Sequence, residues 1–291
     1  MGQSKKHHFV PQMYLRNFAD DKGRTQVVRL STKRSTTERI NTVAATNHFH
    51  RLTVGDEDSL HLEDAATALE GRAAQPMLRL IDPSKRVWPL PREERMTLAF
   101  FIAFQYLRVP VKRDALSSLA AQLPEIFGGD LPEELRELDI PIMHAMSMVG
   151  AALPEGAAEL CNRTWWIVDF KRKRLATSDV PVIPLPDENT TERSAAGLRS
   201  PGGVYFPLSP QTALFIGPPG TAPEADQIVP GNARLAHQFT TATLAWTRDC
   251  LFHHPDDDPL RGYTLPEPRR GEIRWEVWGG PEPDQPQPTT A

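Results

Sequence analysis

The chain has 291 residues, 40% of them apolar and 24% charged, with a formal net charge of -4. That composition is ordinary for a globular protein and long enough to bury a substantial core. It excludes the chain-wide basic surface of a non-specific nucleic-acid binder, and two cysteines, Cys161 and Cys250, exclude a disulfide framework.

The opening MGQSKKHH lacks the apolar stretch of a secretory signal. The longest strongly apolar run, Leu98 to Phe104, is too short to cross a bilayer. A cytoplasmic protein without a membrane partner is expected.

In chain order, Met13, Tyr14, Leu15 and Phe18 predict a short helix or helical turn after Pro11. Residues 20–24 read as a turn, 25–31 as a strand and 32–39 as a charged loop, while 42–52 are ambiguous. Leu62, Ala66, Leu69, Ala73, Met77 and Leu80 recur every three or four residues. They predict a helix over about 59–81, kinked or broken at Pro76. Glu63 and Glu70, two turns apart, share nearly one face of it.

A second helix, about 92–109, is apolar almost all round and belongs in the centre of the fold. Gln105 and Arg108 interrupt it on one face, and a buried Arg108 must be paired. Helical stretches over 112–123 and 132–150 follow, and the methionines of the second read as core packing.

The character changes after about Glu159. Strands are predicted over 162–170 and 175–185, joined by a charged hairpin turn at 171–174. Trp165 and Trp166 predict a core strand with one ring lining a groove. A hairpin is expected at 204–210 and 212–218, loops at 186–203 and 219–230, a helix at 231–246 and a late strand at 272–279. His237 reads as a core or boundary residue. The fold class is therefore α+β, a helical first half packed against a strand-rich second half. One globular domain is expected over 1–278, helical over about 55–160 and strand-rich over 161–278. A disordered proline-rich tail, 279–291, follows it.

The segment Lys6-His7-His8-Phe9-Val10-Pro11-Gln12-Met13-Tyr14-Leu15-Arg16-Asn17-Phe18 is unusual. It resembles the opening of a large bacterial and fungal family of uncharacterised proteins that begin His-His-x-Val-Pro-x-x-Tyr-Leu-x-x-Phe. Glu63 and Glu70 resemble that family's paired glutamates, and Gln105-x-x-Arg108 its central helix. Thr177-Ser178-Asp179-Val180-Pro181-Val182 resembles its Thr/Ser-Ser-Asp-Asn-Pro-Val motif, departing at Val180, and Phe206-Pro207-Leu208-Ser209-Pro210 also fits. The likeness covers about residues 5–255 and implies a shared fold without an established activity.

Three constellations could carry chemistry. His7 and His8 cannot project in one direction from extended chain, so one is expected to face a site while the other packs. His-His-x-x-Pro also resembles the start of a histidine–metal finger, with Asn47, His48 and His50 as a second half. The ~39-residue spacing is long and the paired cysteine ligands are absent. The second constellation is Glu63, Glu70, Arg108 and Asp179, either an oxygen-ligand or acid/base site or a buried ion network fixing two helices. The third, His253, His254, Asp256, Asp257 and Asp258, consists of residue types that can ligate metals, but its polar run before Pro259 reads rather as an exposed loop. Ser178 lacks a nucleophile elbow.

The main expectation is a metal-assisted phosphodiesterase or nuclease. His7 or His8 would be its base, Glu63, Glu70, Arg108 and Asp179 would complete the catalytic set, and His8, Asn47 and Glu70 would hold a divalent metal ion. Net charge does not support nucleic acid as partner. The alternative is a non-catalytic protein- or ligand-binding module with a structural His/Glu/Arg network.

Overall fold

A computed structural model describes residues 6–47, 52–54, 57–59, 61–127, 129, 132–133, 138–172, 174–186 and 197–270. The predicted strand at 272–279, the tail, His48 and His50 lie outside the described residues.

The fold is α+β, but helices and strands interleave more than a two-half division implies. The chain opens with strand β1 (Lys6–His8) and helix α1 (Gln12–Leu15), which continues as a 3₁₀ turn through Phe18. Strands β2 (Arg24–Arg29), β3 (Arg34–Arg39), β4 (Ala45–Asn47), β5 (Leu52–Val54) and β6 (Glu57–Ser59) follow. The expected loop at 32–39 is thus a strand. Its side chains are almost all exposed, which explains why charge concealed it.

Helices α2 (His61–Ile81) and α3 (Arg92–Leu107) match the expected periodicity, and α4 (Pro110–Ile126) covers the helical stretch expected over 112–123. Helix α2 runs through Pro76 without a break, and Pro110 starts α4 rather than only stopping α3, as proline suits a first turn. Helix α5 (Ile140–Val149) is capped by the Asp139 carboxylate, which accepts from the Ile142 amide at 2.9 Å. Helix α6 (Ala152–Cys161) had no counterpart in the sequence reading. Met148 is core, as expected, whereas Met146 is exposed.

Strands β7 (Trp165–Asp169), β8 (Thr177–Ser178), β9 (Ile183–Pro184), β10 (Val204–Pro207), β11 (Thr212–Ile216) and β12 (Gln227–Pro230) come next. Helix α7 (Ala233–Trp246) and strand β13 (Cys250–His253) complete the described elements. The β10–β11 hairpin is as predicted. The hairpin expected at 171–174 is not formed, because β7 pairs with β11 and β12 while β8 crosses to another sheet. Part of the 219–230 loop is strand β12, parallel to β7.

Two sheets result, β12-β7-β11-β10-β9 and β3-β2-β13-β8, beside two small pairs, β1-β4 and β5-β6. The second sheet joins the chain's beginning to its end through the antiparallel β2–β13 pairing. Burial explains the mixing: one core cluster takes Tyr14 and Phe18 from the opening, Met77 and Phe101 from the helices, and Trp165, Phe206 and Phe252 from the strands.

Tyr14 ties the opening to the strands directly. Its ring stacks on Phe206 at 5.1 Å, and its hydroxyl donates to the Pro207 carbonyl at 2.6 Å and accepts from Thr177 Oγ1 at 2.7 Å. Arg95 ties α3 to the first sheet. Its guanidinium lies over Trp165, 4.4 Å from the ring centroid, and pairs with the buried Asp226 carboxylate.

Candidate functional site

The opening strand places its two histidines on different partners, as alternation requires. His7 is buried, with Nδ1 3.8 Å from Glu63 Oε2 on α2. His8 turns toward the 43–45 segment and α1. Its Nδ1–H donates to the Val43 carbonyl at 3.1 Å, and its Nε2 accepts from the Gln12 amide at 3.1 Å. In that arrangement both ring nitrogens are occupied in holding local structure.

Helices α2 and α3 supply the next layer. Arg108, 1% exposed, caps the C-terminus of α3. Its Nε–H donates to Gln105 Oε1 at 2.7 Å and its Nη1–H to Glu70 Oε1 at 2.7 Å. Gln105 in turn donates to the Phe9 carbonyl at 2.9 Å, so the network returns to the opening segment. The guanidinium also lies over the Phe104 ring, 5.2 Å from its centroid. Burial pushes the Glu63 carboxyl up; His7 and Arg108 oppose the shift and Glu70 adds to it. Burial lowers the Arg108 pKa, and Glu70 and Glu63 restrain the change. Glu63 Oε2 and Arg108 Nη2 are buried without a hydrogen-bond partner among the described residues.

The structure therefore joins His7, Glu63, Glu70 and Arg108, with Gln105 as an added member. Asp179 is held elsewhere. Its buried carboxylate accepts from the amides of Arg248 at 2.8 Å, Asp249 at 2.7 Å and Cys250 at 2.8 Å. Burial pushes this carboxyl up to about 6, against the three amide bonds that favour its charged form. Its contacts fix the start of β13, a structural role for the Ser178–Asp179 turn. Asn47 lies in β4, opposite Lys6 of β1. Among the described residues, no three His, Cys, Asp or Glu side chains are grouped so as to hold a metal ion.

His253 is buried in β13 rather than in an exposed loop, while His254 reaches within 3.7 Å of Asp256. His237 is exposed rather than core or boundary, and its Nδ1 bonds with the Tyr263 hydroxyl at 2.9 Å.

Among the described residues, two of the hollows have mainly apolar walls. One, about 920 Å³, lies between α7 and the first sheet, with Trp166, Phe215 and Trp246 in its lining. It bears out the expectation that one of the paired tryptophans lines a groove while Trp165 is core. The other, about 840 Å³, opens between α2, α3 and α5. Leu62, Leu69, Met96, Phe100, Phe104 and Met148 form its walls. Sequence reasoning missed it because α3 looked like a helix buried all round. The signal was present in Arg92, Met96, Phe100 and Phe104, spaced by four along one face.

The groove and the polar network share a wall: Phe104 faces the groove and carries the Arg108 guanidinium on its ring. Against this geometry stands one sequence relationship. Residues 6–257 match the family described as "Protein of unknown function (DUF4238)". The chain belongs to this family. No curated protein and no solved structure matches it. Among the described residues, no helix is long and apolar enough to cross a membrane.

Proposed function

We propose that this protein is a non-catalytic ligand-binding module whose His/Glu/Arg network is structural. The site is the groove between α2, α3 and α5. The observation that carries the reading is the shared wall, where Arg108 is bound to Glu70 and Gln105 and lies over Phe104, which lines the groove. A charge network of this kind fixes two helices in one register, and a rigid apolar wall loses little order when a ligand binds.

The chemistry of the network favours this reading over a metallohydrolase. Both His8 nitrogens are engaged, so neither is free to take a proton from water without breaking a bond. Glu70 already neutralises a guanidinium, and a divalent cation at Glu63 and Glu70 would face the charge of Arg108. The absence of a three-residue metal cluster among the described residues points the same way.

The test is a fluorescence titration of the full chain with N-phenyl-1-naphthylamine, a neutral apolar probe. Ala65 lines the groove from the exposed side of α2, so Ala65→Trp fills the groove without entering the core. Saturable binding to the native chain that weakens at least ~tenfold in Ala65→Trp supports the reading. Equal binding by both chains overturns it.

A further inference from the structure

We infer that the groove takes a single-chain amphiphile with a monoanionic carboxylate head, a medium- or long-chain fatty acid by chemical class. This rests on the binding-module reading and adds the identity of the ligand.

The groove has two chemically different ends. Leu62, Phe104 and Met148 belong to one apolar cluster and mark the first. Arg72, Arg92 and Glu93 line the second. The two ends are set by the antiparallel course of α2 and α3. The Arg79–Glu94 ion pair places the later part of α2 beside the start of α3, while Leu62 and Phe104 meet at the opposite end.

Arg72 and Arg92 are exposed on the rim, and among the described residues neither guanidinium has a carboxylate at ion-pair distance. With Glu93 beside them, the three groups carry one net positive charge. A single carboxylate complements that charge, and guanidinium forks donate to carboxylate oxygens in matching geometry. The walls between the ends are Leu69, Met96 and Phe100, with no ionisable side chain among them.

Length fits an extended hydrocarbon chain. Leu62 and Arg72 are ten residues apart on α2, so the groove runs for roughly 15 Å at the helical rise. A carbon–carbon bond advances a chain by less than ~1.5 Å, so an acyl chain of about ten carbons or more is needed to span it. Methionine at Met96 and Met148 gives walls that adapt to a flexible chain.

The experiment is calorimetry on the full chain with sodium dodecanoate below its micellar concentration, beside octanoate and dodecyltrimethylammonium. The variants are Arg72→Gln/Arg92→Gln and Ala65→Trp. Because both arginines are exposed, the double variant leaves the core intact. The expected result is one saturable dodecanoate site, at least ~tenfold weaker in the double arginine variant and in Ala65→Trp. Octanoate should bind at least ~tenfold more weakly than dodecanoate, since each methylene lost removes apolar burial. In the double arginine variant naphthylamine, which has no carboxylate, should lose far less affinity than dodecanoate. Dodecanoate binding that ignores those substitutions, or equal affinity for the trimethylammonium amphiphile, overturns the inference. If naphthylamine still binds and Ala65→Trp still blocks it, the groove reading survives that failure. If neither probe binds, both fall.

Discussion

Replacing Arg108 with methionine tests the structural reading of the network at its centre. The guanidinium is 1% exposed and holds Glu70 on α2, Gln105 on α3 and the face of Phe104. Methionine keeps much of the volume and removes the charge and both hydrogen bonds. Removing one member of a fully buried pair costs about 3–5 kcal/mol, because the other charge is stranded. Glu70 is 25% exposed and can recover part of its hydration, which lowers the expected loss to about 2–4 kcal/mol. Urea unfolding of the native chain, Arg108→Met, Glu70→Gln and the double variant gives the loss and the coupling between the two residues. A coupling of about 1–3 kcal/mol is expected. A loss under about 0.5 kcal/mol with no coupling would refute the reasoning, since that is what an unremarkable surface substitution produces.

Three further outcomes follow from other contacts. His144 is fully buried, its Nε2–H donates to the Leu107 carbonyl at 2.9 Å, and burial lowers its pKa from 6.5 to about 4. The unfolded chain therefore takes up this proton first as pH falls. Stability present above pH 6.5 is lost as pH falls toward 4, by up to about 3 kcal/mol from this group, and His144→Gln should flatten that part of a thermal-denaturation pH profile. Asp179→Ala leaves three part-buried amides without their acceptor and should cost about 2–3 kcal/mol in chemical denaturation, and a near-neutral effect would remove Asp179 from its assigned role. His8→Ala removes two hydrogen bonds and should cost about 1–2 kcal/mol in urea while leaving naphthylamine affinity unchanged, whereas loss of binding with full stability would assign His8 to the ligand site.

The helical periodicities were legible because α2 and α3 each bury a face that the sequence spells out at three- and four-residue spacing. The partners of those helices were less legible. Glu70 and Arg108 could be grouped from helix geometry alone, but Asp179 could not be separated from them, because its partners are backbone amides at 248–250 that carry no sequence signature. Strand β3 was hidden by its charge, and the β7–β12 parallel pairing by the distance between its members in the chain. The 171–174 turn was misread because two strands adjacent in sequence enter different sheets. Helix α6 is short and alanine-rich, with too few large apolar side chains to mark a face. The groove escaped notice for a different reason: an apolar helix face reads the same whether a neighbour or a ligand covers it.

The central claim is that the groove binds and that the histidine network does not perform metal-dependent chemistry. The most direct test is a naphthylamine titration in the presence of excess chelator, run on the native chain, Ala65→Trp and His8→Ala in parallel. The expected result is chelator-resistant, saturable binding that is lost in Ala65→Trp and kept in His8→Ala. Binding that is insensitive to Ala65→Trp, or that needs a divalent ion and disappears with His8, would contradict the account.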